Sequence, residues 1–475
     1  MQDKDSLLYV RPGVPAKLDP GFAPAILAIG NYESAAGKSG RPERLLIAVE
    51  RENGYISRCD LELLPSGRND SDTLRYVERH IKFILWSKGG WKLVLHGPKA
   101  VCDFVKKAYS QGGLREFDAR LMQKAYDHEF AVEIAGKASD VPEAKESRLK
   151  IGGNLDGCRV GFDLGASDYK LAAVIDGKAV FSTEIPWTPV KQPDPSYHYK
   201  CIVDGLRQAA SHMPRLDAIG GSSAGIIVGN QVKVASLFRA VPEERFNKDV
   251  KPIFQTIQKE LGVPLVVMND GDVTALAGAM SLKKNSMLGI AMGSSEAGGY
   301  LDPKGCLTGY LTELAFAPVD FNEQAASDEW SGDRGVGALY FSQQAVNKLA
   351  PAAGFNFKPE MPLPERLVAV QEKADKGDKA ALGIFETIGV YLAYAVPLYG
   401  RYYDYENMLV LGRVTSGMGG ELLMSTANDV LKKEFPEVAE KVTLHVPDEK
   451  SRRVGQAVAA ASLPATGKTR KDGSK

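Results

Sequence analysis

The sequence predicts an α/β protein in which strands and helices alternate to form doubly wound, mixed sheets. Short apolar runs rich in Val, Ile and Leu recur along the chain, and stretches with helical spacing of apolar residues separate them. Several of these runs end in clusters of Gly, Ser, Asn or Asp, as strands do before tight turns. The chain has 475 residues, which is long enough for two or three domains.

Composition and charge narrow the class of protein. The 59 Lys and Arg residues balance the 59 Asp and Glu residues, so no global basic field favours nucleic acid. The first residues lack the pattern of a signal peptide, and no stretch approaches the ~20 uninterrupted apolar residues of a membrane span. Five scattered cysteines are interpreted as free thiols in a reducing compartment. We therefore expect a cytoplasmic protein with no nucleic-acid partner and no membrane partner.

The first third of the chain predicts an additional α/β region. Residues 1–43 mix Pro, Gly and apolar residues and predict a loosely structured arm. Residues 44–135 are either a degenerate half of the fold that follows, because their order of elements resembles 160–228, or a separate α/β cap domain. Residues 136–157 predict a linker. The elements predicted within 44–135 are a hairpin with an Asn-Gly turn at 53–54, a helix over 72–87, a strand over 91–96, a helix over 99–109 and a strand over 130–134.

Residues 160–182 contain the most informative turn of the chain. An apolar strand delivers Asp163 to this turn, and a second strand leads on to an Asp-Gly hairpin at 176–177. Small residues let backbone N–H groups approach a phosphate closely, and a neighbouring carboxylate can hold the magnesium that accompanies a nucleotide. The alternative is an ordinary β-hairpin with an Asp at its edge. Lys170, in the outgoing strand, is interpreted as solvent-facing rather than as a phosphate clamp. The turn consists of Gly165, Ala166 and Ser167.

Four further junctions between an apolar strand and a polar or small-residue turn follow along the chain. Ligands of open α/β sheets bind at the carboxyl ends of strands, so these junctions predict binding residues. The residues at the junctions are, in chain order, Ser223 and Gly225, then Asn269 and Asp270, then Gly293, Ser294 and Ser295, and finally Gly412 and Arg413.

In this order the five junctions resemble the motifs of the ROK family, which lies within the sugar kinase/hsp70/actin superfold. The resemblance covers roughly residues 158–464. It implies an actin-like ATPase (ribonuclease H-like) fold of two lobes, at 158–270 and 271–464, with the additional N-terminal α/β region in front. The basic residues 465–475 predict a disordered tail.

The resemblance implies a role for each junction. Asp270 would be the general base that accepts the proton of the substrate hydroxyl. The alternative role for Asp270 is that of a helix N-cap, which Asp272 would suit better. Asp163 would hold magnesium directly or through water, and Arg413, where the family usually has glycine, would contact phosphate or narrow the pocket. The implied substrate-binding residues are Asn269, Glu313, Ser223 and Gly225. The implied nucleotide- and phosphate-binding residues are Asp163, Gly165, Ala166, Ser167, Gly293, Ser294, Ser295, Gly412 and Arg413.

The chain departs from the ROK pattern where the family contacts sugar. The pattern Glu-x-Gly-His is present as Glu313-Leu-Ala-Phe316, and serine and valine stand in the cysteine places near 331–337. Without thiolates or imidazole, a tetrahedral zinc ion has no ligands, so we predict no zinc site. Apolar and aromatic side chains are expected to order residues 313–342 instead. Ala338 replaces a glutamate that contacts sugar in the family. Substitutes for the missing sugar contacts are sought in Glu296, Asp320, Asn322, Glu329 and Trp330, although Trp330 is alternatively a core residue.

These features predict an ATP- and magnesium-dependent kinase that phosphorylates a sugar or a sugar-like hydroxyl compound. The alternative is a catalytically inactive sugar- or nucleotide-binding regulatory protein on the same fold, which the missing sugar contacts motivate. A DNA-binding regulator would normally show a helix-turn-helix, and residues 1–135 carry no such signature. A homodimer is compatible with the sequence, which does not decide the oligomeric state.

Overall fold

The computed structural model of the chain describes residues 6–146, 151–447 and 449–466, including all of their side chains except those of 449–454. The predicted tail therefore lies, from residue 467 onward, outside the described residues. The chain divides into two compact units. Unit 1 consists of Met1–Arg148, Ser286–Pro303 and Thr308–Val446, and unit 2 consists of Leu149–Asn285, Lys304–Leu307 and Pro447–Lys475.

The N-terminal region, residues 6–146, is the first part of unit 1. Its hairpin, strands and two of its helices lie within a few residues of their predicted positions, whereas α4 was not predicted. Its elements are α1 (Ala25–Lys38), β1 (Glu43–Glu50), β2 (Ile56–Leu63), α2 (Asp70–Lys88), β3 (Lys92–His96), α3 (Lys99–Ala108), α4 (Glu116–Tyr126) and β4 (Ala131–Ile134).

The prediction of a loosely structured arm over 1–43 is wrong for residues 25–38, which form α1. The buried residues of this helix are three or four positions apart, so that they share one helical face. One of them, Tyr32, stacks on Tyr76 of α2 with 4.0 Å between ring centroids. The buried residues are Ala25, Ala28, Ile29, Tyr32 and Ala36.

The first part of unit 2 is built around a five-stranded mixed sheet of order β11-β8-β5-β6-β7. Strands β5, β8 and β11 run parallel, while β6 and β7 extend the sheet as antiparallel hairpin strands. Every residue of β5 is buried, as expected for a central strand. The elements are β5 (Cys158–Leu164), β6 (Asp168–Ile175), β7 (Lys178–Pro186), α5 (Pro195–Ala210), β8 (Ala218–Ser223), β9 (Ile226–Val228), β10 (Gln231–Val234), α6 (Glu243–Arg245), α7 (Ile253–Leu261), β11 (Leu265–Asn269) and α8 (Asp270–Leu282).

The N-terminal sheet repeats the pairing pattern of this sheet with one strand missing. Its order is β2-β1-β3-β4, in which β1 is antiparallel to both neighbours and β3 is parallel to β4. Without its edge strand β11, the sheet of unit 2 has the same series of one parallel pair and two antiparallel pairs. Both interpretations of residues 44–135, a degenerate half of the fold and a separate α/β cap domain, are compatible with this pairing.

The remainder of unit 1 contains a second mixed sheet, of order β13-β12-β14-β15. Among the described residues, one helix, α11 (Lys379–Tyr399), is long and apolar enough to cross a membrane, but 83% of its most apolar window is buried inside the protein. The elements are β12 (Met287–Met292), β13 (Glu296–Leu301), α9 (Gln343–Leu349), α10 (Leu363–Ala374), α11 (Lys379–Tyr399), β14 (Asn407–Leu411), α12 (Gly417–Glu434), α13 (Pro436–Lys441) and β15 (Thr443–His445).

The last helix, α14 (Glu449–Ala461), packs on the sheet of unit 2. Glycines in two strands allow the contact: a Cβ at Gly161 of β5 would lie 1.7 Å from the carbonyl oxygen of Ala457, and one at Gly220 of β8 would lie 1.7 Å from that of Ala460. The helix backbone therefore rests directly on the strands.

Candidate functional site

Three parallel strands of unit 2 end at the same level of the sheet. Leu164 of β5 and Asn269 of β11 are both in register with Ser223 of β8, which lies between them. Asp163 precedes this level by one residue and Asp270 follows it by one residue. At the carboxyl edge of the sheet, the topology thus brings together the junction after β8, the junction after β11 and the carboxylate of Asp163.

Asp163 is a buried carboxylate, and its Oδ2 accepts from no hydroxyl or backbone donor of the described residues. Its side chain is only 11% exposed, and its Oδ1 accepts a hydrogen bond of 2.7 Å from Ser222 Oγ. Burial raises the pKa of Asp163, whereas the Ser222 bond and the nearby Lys170 act to lower it. Its Oδ2 lies 3.8 Å from Lys170 Nζ. This oxygen is the one available to a cation or to an ordered water.

The expectation that Lys170 simply faces solvent was wrong. Lys170 is the cross-strand partner of Asp163 in the β5–β6 pair, and its side chain is 31% exposed. The turn between these strands is closed by a hydrogen bond of 3.0 Å from Gly165 N to Asp168 O. Trp187 stabilises the turn, since its indole N–H donates to Gly165 O at 2.7 Å. Ala166 and Ser167 are exposed at the tip, as a phosphate-binding turn requires.

The N-cap of α8 is Asn269, and neither Asp270 nor Asp272 has that position. Asn269 Oδ1 accepts from Gly271 N at 2.8 Å, and its Nδ2 donates to Gly225 O at 2.8 Å. These bonds leave one amide hydrogen of Asn269 for a substrate hydroxyl. Because Asn269 caps the helix, the carboxylate of Asp270 is not the cap. Its Oδ1 accepts a hydrogen bond of 3.0 Å from Gly271 N.

Asp270 has the electrostatic character of a general base. Burial raises its pKa to about 6, and the negative charge of Asp163 contributes to the same shift. A carboxylate with a pKa near neutrality accepts a proton more readily than an ordinary aspartate. The two carboxylates are thus close enough to influence each other, which is the arrangement expected of residues that share a cation or divide acid and base roles.

Ser223 and Gly225 have structural roles at this edge. Ser223 is fully buried, and its hydroxyl lies 3.5 Å from Ala224 O. Gly225 has φ +109°, and a Cβ there would lie 2.3 Å from Val234 O, so the turn requires glycine. Its carbonyl fixes the amide of Asn269. Both residues therefore shape the site beside Asn269.

Sequence reasoning missed Gln456 of α14, which connects two of these residues. Its Nε2 lies 3.3 Å from Ser222 Oγ, the hydroxyl that binds Asp163, and 3.5 Å from Asp270 O. The glutamine is the polar member of a helical run of Gly and Ala. A polar residue among small apolar ones could have drawn attention to Gln456, but only the packing of α14 shows which residues Gln456 contacts.

Within unit 1, the fourth and fifth junctions lie against each other. Gly412 has φ +109°, and a Cβ there would lie within 2.8 Å of the N, C and O atoms of Met292, the residue before Gly293. The turn after β12 is closed by Gly293 N, which donates to Ser295 O at 3.1 Å. Ser294, Ser295 and Arg413 are all exposed. Two small-residue turns and a cation thus form one polar surface of unit 1.

Glu313 lies close to a second acid, Glu296, in unit 1. Glu313 is partly exposed and precedes the 3-10 turn Leu314–Phe316. Glu296 is 3% exposed, and its Oε1 accepts from Tyr399 OH at 2.9 Å. Burial raises the pKa of Glu296 to about 8, with a further contribution from the charge of Glu313. Glu296 is therefore neutral at pH 7, beside a carboxylate that is implied to bind substrate.

We expect Glu296→Gln to remove part of the pH dependence of stability. Below pH 8 the folded protein keeps a proton on Glu296, whereas the unfolded chain releases it above about pH 4.5, so the native state loses stability as pH rises through this window. The wild-type protein should lose stability relative to the glutamine variant between pH 5 and pH 8 in denaturant titrations. Glu372→Gln, at an exposed position of α10, is the control. Equal pH profiles of stability for all three proteins would contradict a raised pKa of Glu296.

Four other residues were predicted to replace the missing sugar contacts, and two of them are buried whereas two are exposed. Asp320 is structural, because its two oxygens accept from Ala23 N, Asn322 N and Tyr340 OH at 3.0, 2.8 and 2.6 Å. Asn322 is buried as well. The alternative that Trp330 belongs to the core was wrong, because its side chain is 64% exposed. Glu329, its neighbour, is also exposed.

No protein-family model and no curated protein matches the sequence. Solved structures, however, do match the fold of this chain. A ROK hexokinase from Thermus thermophilus aligns with 16% identity and a TM-score of 0.51 over 64% of this chain and 97% of that protein. A ROK-family transcriptional regulator, a homologue of the E. coli MLC protein, aligns with 18% identity and a TM-score of 0.53 over 65% of this chain and 79% of the regulator.

At these identities the likeness concerns the fold, and both a kinase and a regulator share it. The mixed sheets and their strand orders fit the same class. The predicted fold is therefore confirmed: this chain has the ROK-family fold, a form of the actin-like ATPase fold.

Proposed function

We propose that the protein is a kinase that transfers a phosphoryl group from ATP to a hydroxyl of a sugar or a sugar-like compound. The observation that carries this proposal is the pair Asp163 and Asp270 at the carboxyl edge of the unit 2 sheet. Within the part of the chain that the structure describes, Asp163 Oδ2 has no hydroxyl or backbone donor, and the pKa of Asp270 is raised to about 6. Phosphoryl transfer needs a carboxylate that accepts the hydroxyl proton and groups that neutralise phosphate charge.

The proposal assigns separate tasks to the residues of each unit. In unit 2, Asp270 takes the proton from the acceptor hydroxyl, while Asn269, through its remaining amide hydrogen, orients that hydroxyl. In unit 1, the exposed turn Gly293–Ser295 offers backbone and hydroxyl donors to phosphate oxygens, and Arg413 adds positive charge. Glu313 is the proposed sugar contact of unit 1.

Magnesium bound with ATP would neutralise phosphate charge, and Asp163 fits the task of holding it. Mg²⁺ is commonly held by one or two carboxylates together with substrate phosphates and water, so a dedicated cage is not needed. Asp163 Oδ2 is available for this, directly or through water. Among the described residues, no group of three or more His, Cys, Asp or Glu side chains has the geometry of a metal site.

The direct test is an assay of full-length protein with magnesium-ATP and a panel of hexoses, amino sugars and polyols. We expect ADP release above background with at least one acceptor. The Asp270→Asn variant is the matched control for contaminating kinases. Background release with every acceptor, from protein that is folded by circular dichroism, would refute the kinase proposal.

The pH dependence of turnover should report on Asp270. Because only its carboxylate form accepts a proton and its pKa is raised to about 6, kcat/KM should fall about tenfold per unit below pH 6 and level off above pH 7. Measuring kcat/KM from pH 4.5 to pH 9 checks this. An inflection near pH 8 would instead indicate Glu296, and one near pH 4 would indicate an unperturbed carboxylate.

A second candidate is a regulator that binds a sugar or a nucleotide without turnover. The match to a ROK-family transcriptional regulator favours it, as do Phe316 and Ala338 in the places of the sugar-contacting histidine and glutamate. Calorimetry separates the two functions. Sugar binding in the presence of ATP without any ADP formation supports the regulator, whereas binding coupled to turnover supports the kinase.

A further inference from the structure

The N-terminal region holds the segment of unit 1 that carries the proposed sugar contact. We call residues 311–336 the substrate segment; it contains Glu313, Phe316 and the places of the family's cysteines. Four separate sets of contacts join this segment to α1, α2, α4 and the residues before α1. All of them lie within unit 1.

The first contact satisfies the carboxyl end of α2. The last carbonyl groups of a helix have no partner within the helix. Here the backbone N–H groups of the segment supply the partners: Leu311 donates to Lys88 O at 3.3 Å, Thr312 donates to Ser87 O at 3.0 Å, and Glu313 donates to Trp86 O at 2.9 Å. The backbone of Glu313 is thus fixed by α2.

The second contact is aromatic and involves the residue at the histidine place. The ring of Phe316 lies 4.4 Å from that of Trp86 and 5.6 Å from that of Phe117. Trp86 is fully buried, and its indole N–H donates to Asp118 at 2.6 Å. At the position where the ROK family has a histidine, Phe316 therefore makes an apolar contact with α2 and α4.

The third contact is a buried charge cluster around Asp333 of the segment. Asp333 Oδ1 lies 3.0 Å from Arg79, and its Oδ2 lies 2.7 Å from Arg115 and 3.2 Å from Lys82. Although burial alone would raise the pKa of Asp333, the three cations together lower it well below its usual range. The cluster has three cations and three anions, each at most 10% exposed in its side chain: Arg79, Lys82, Arg115, Glu78, Asp118 and Asp333.

Asp333 is the one member of this cluster that lies outside the N-terminal region. Without it, Arg79, Lys82 and Arg115 would retain only Glu78 and Asp118 as anionic partners. A buried cation that loses its partner is costly, so the cluster strongly favours the docked position of the segment. Arg79 also donates to the backbone carbonyl of Arg334 at 3.3 Å.

The fourth contact is a short stretch of strand-like pairing. Phe321 N donates to Ala23 O at 2.8 Å, and Ala25 N donates to Val319 O at 3.0 Å. From α2, Arg75 donates to Phe321 O at 2.5 Å and forms an ion pair with Glu323. The segment is therefore held at its start, at its centre and near its end.

We infer that the N-terminal region is a positioning element for the substrate segment and that Asp333 is its principal anchor. The carboxyl end of α2 holds the backbone of Glu313, and α2, α4 and the start of α1 contact the residues that follow it. The inference rests on the proposed function only in taking the segment to bind substrate. Asp333 is a positioning residue of unit 1, whereas the proposed proton acceptor belongs to unit 2.

The test compares two variants that remove one anion each from the same cluster. Asp333→Asn detaches the segment, whereas Asp118→Asn disturbs the cluster but leaves Asp333 in place. Hydrogen exchange of residues 311–336, measured without ligand, should rise for Asp333→Asn and stay close to wild type for Asp118→Asn. Asp333→Glu, which restores the charge, should recover part of the protection.

Kinetics supply the functional readout. Asp333→Asn should raise KM for the acceptor about tenfold while kcat changes less than threefold, because a misplaced contact weakens binding before it affects proton transfer. If Asp333→Asn does not fold, Arg75→Gln, which removes the bond to Phe321 O at a more exposed place, should show the same pattern more weakly.

The inference would be overturned if hydrogen exchange of residues 311–336 were unchanged in Asp333→Asn, or if KM for the acceptor rose as much in Asp118→Asn as in Asp333→Asn. An inactive wild-type protein would refute the proposed kinase function alone, since the exchange experiment still decides whether the N-terminal region holds the segment.

Discussion

Replacing Asp270 by Asn is expected to lower turnover by ~10²–10⁴ while the protein remains folded. The residue begins α8 at the carboxyl end of β11, and the helix is capped by Asn269, so the amide substitution removes the proton acceptor without removing the cap. Steady-state assays with the best acceptor from the substrate panel measure the loss.

The same variant should be more stable than wild type at neutral pH. Burial raises the pKa of Asp270 from 3.8 to about 6, so its ionisation opposes folding as pH rises through this window. At pH 7 the neutral asparagine avoids that cost, and we expect a gain of about 1–2 kcal/mol that disappears near pH 4. A residue that serves only to stabilise the fold would give the opposite sign.

Asp272→Asn is the matched control in the first turn of the same helix. Asp272 is buried and contributes a negative charge near the helix N-terminus, so its loss should reduce stability. Turnover should stay within a few-fold of wild type. If both variants lose turnover equally, the loss is caused by a disturbed first turn of α8, and Asp270 is not the general base.

The periodicity of the sequence predicted most strands and helices, and the exceptions have identifiable physical causes. Helix α4 was missed because its buried face includes Asp118, a charge that hides the amphipathic pattern. Helix α1 was missed although Ala25, Ile29 and Tyr32 have helical spacing, because Pro and Gly residues surround it. Local patterns thus identify an element well only when its inner face is apolar.

The cap of α8 could not be assigned from the sequence, because Asp270 and Asp272 were the expected candidates and Asn269, which also has a short polar side chain, precedes them. Only the backbone geometry shows that Asn269 accepts the bond from Gly271 N. Likewise, Asp72 in the first turn of α2 accepts hydrogen bonds from Ser6 Oγ and Leu7 N, whereas the N-cap position of α2 belongs to Asn69. Short polar side chains compete for the same bonds, and the fold decides between them.

The anchoring of the substrate segment was predicted only in part. Apolar and aromatic residues were expected to order it, and Val319, Phe321 and Val336 are indeed buried. The charge cluster was not foreseen, because Asp333 is separated from Arg79 by 254 residues and from Arg115 by 218. A single sequence gives no sign that such distant charges meet.

Gly220→Ala and Gly161→Ala are expected to destabilise the protein by about 3 kcal/mol each, the upper end of the usual cost of over-packing. At both positions the added Cβ would lie 1.7 Å from a backbone carbonyl oxygen of α14, at Ala460 and Ala457 respectively. A backbone group cannot rotate away as a side chain can, so the whole helix must move off the sheet. Equilibrium unfolding in urea, read as the shift of the midpoint Cm, measures the cost.

Gly455→Ala provides the control within the same helix. A Cβ at Gly455 has no atom within 4 Å, so the substitution should be neutral or stabilising by about 0.5–1 kcal/mol, as expected when glycine is removed from a helix interior. If Gly220→Ala is as stable as Gly455→Ala, α14 does not rest on β8. If it is destabilised, the displaced helix should also withdraw Gln456 from Ser222 and from the backbone of Asp270, so that the surviving folded fraction turns over more slowly.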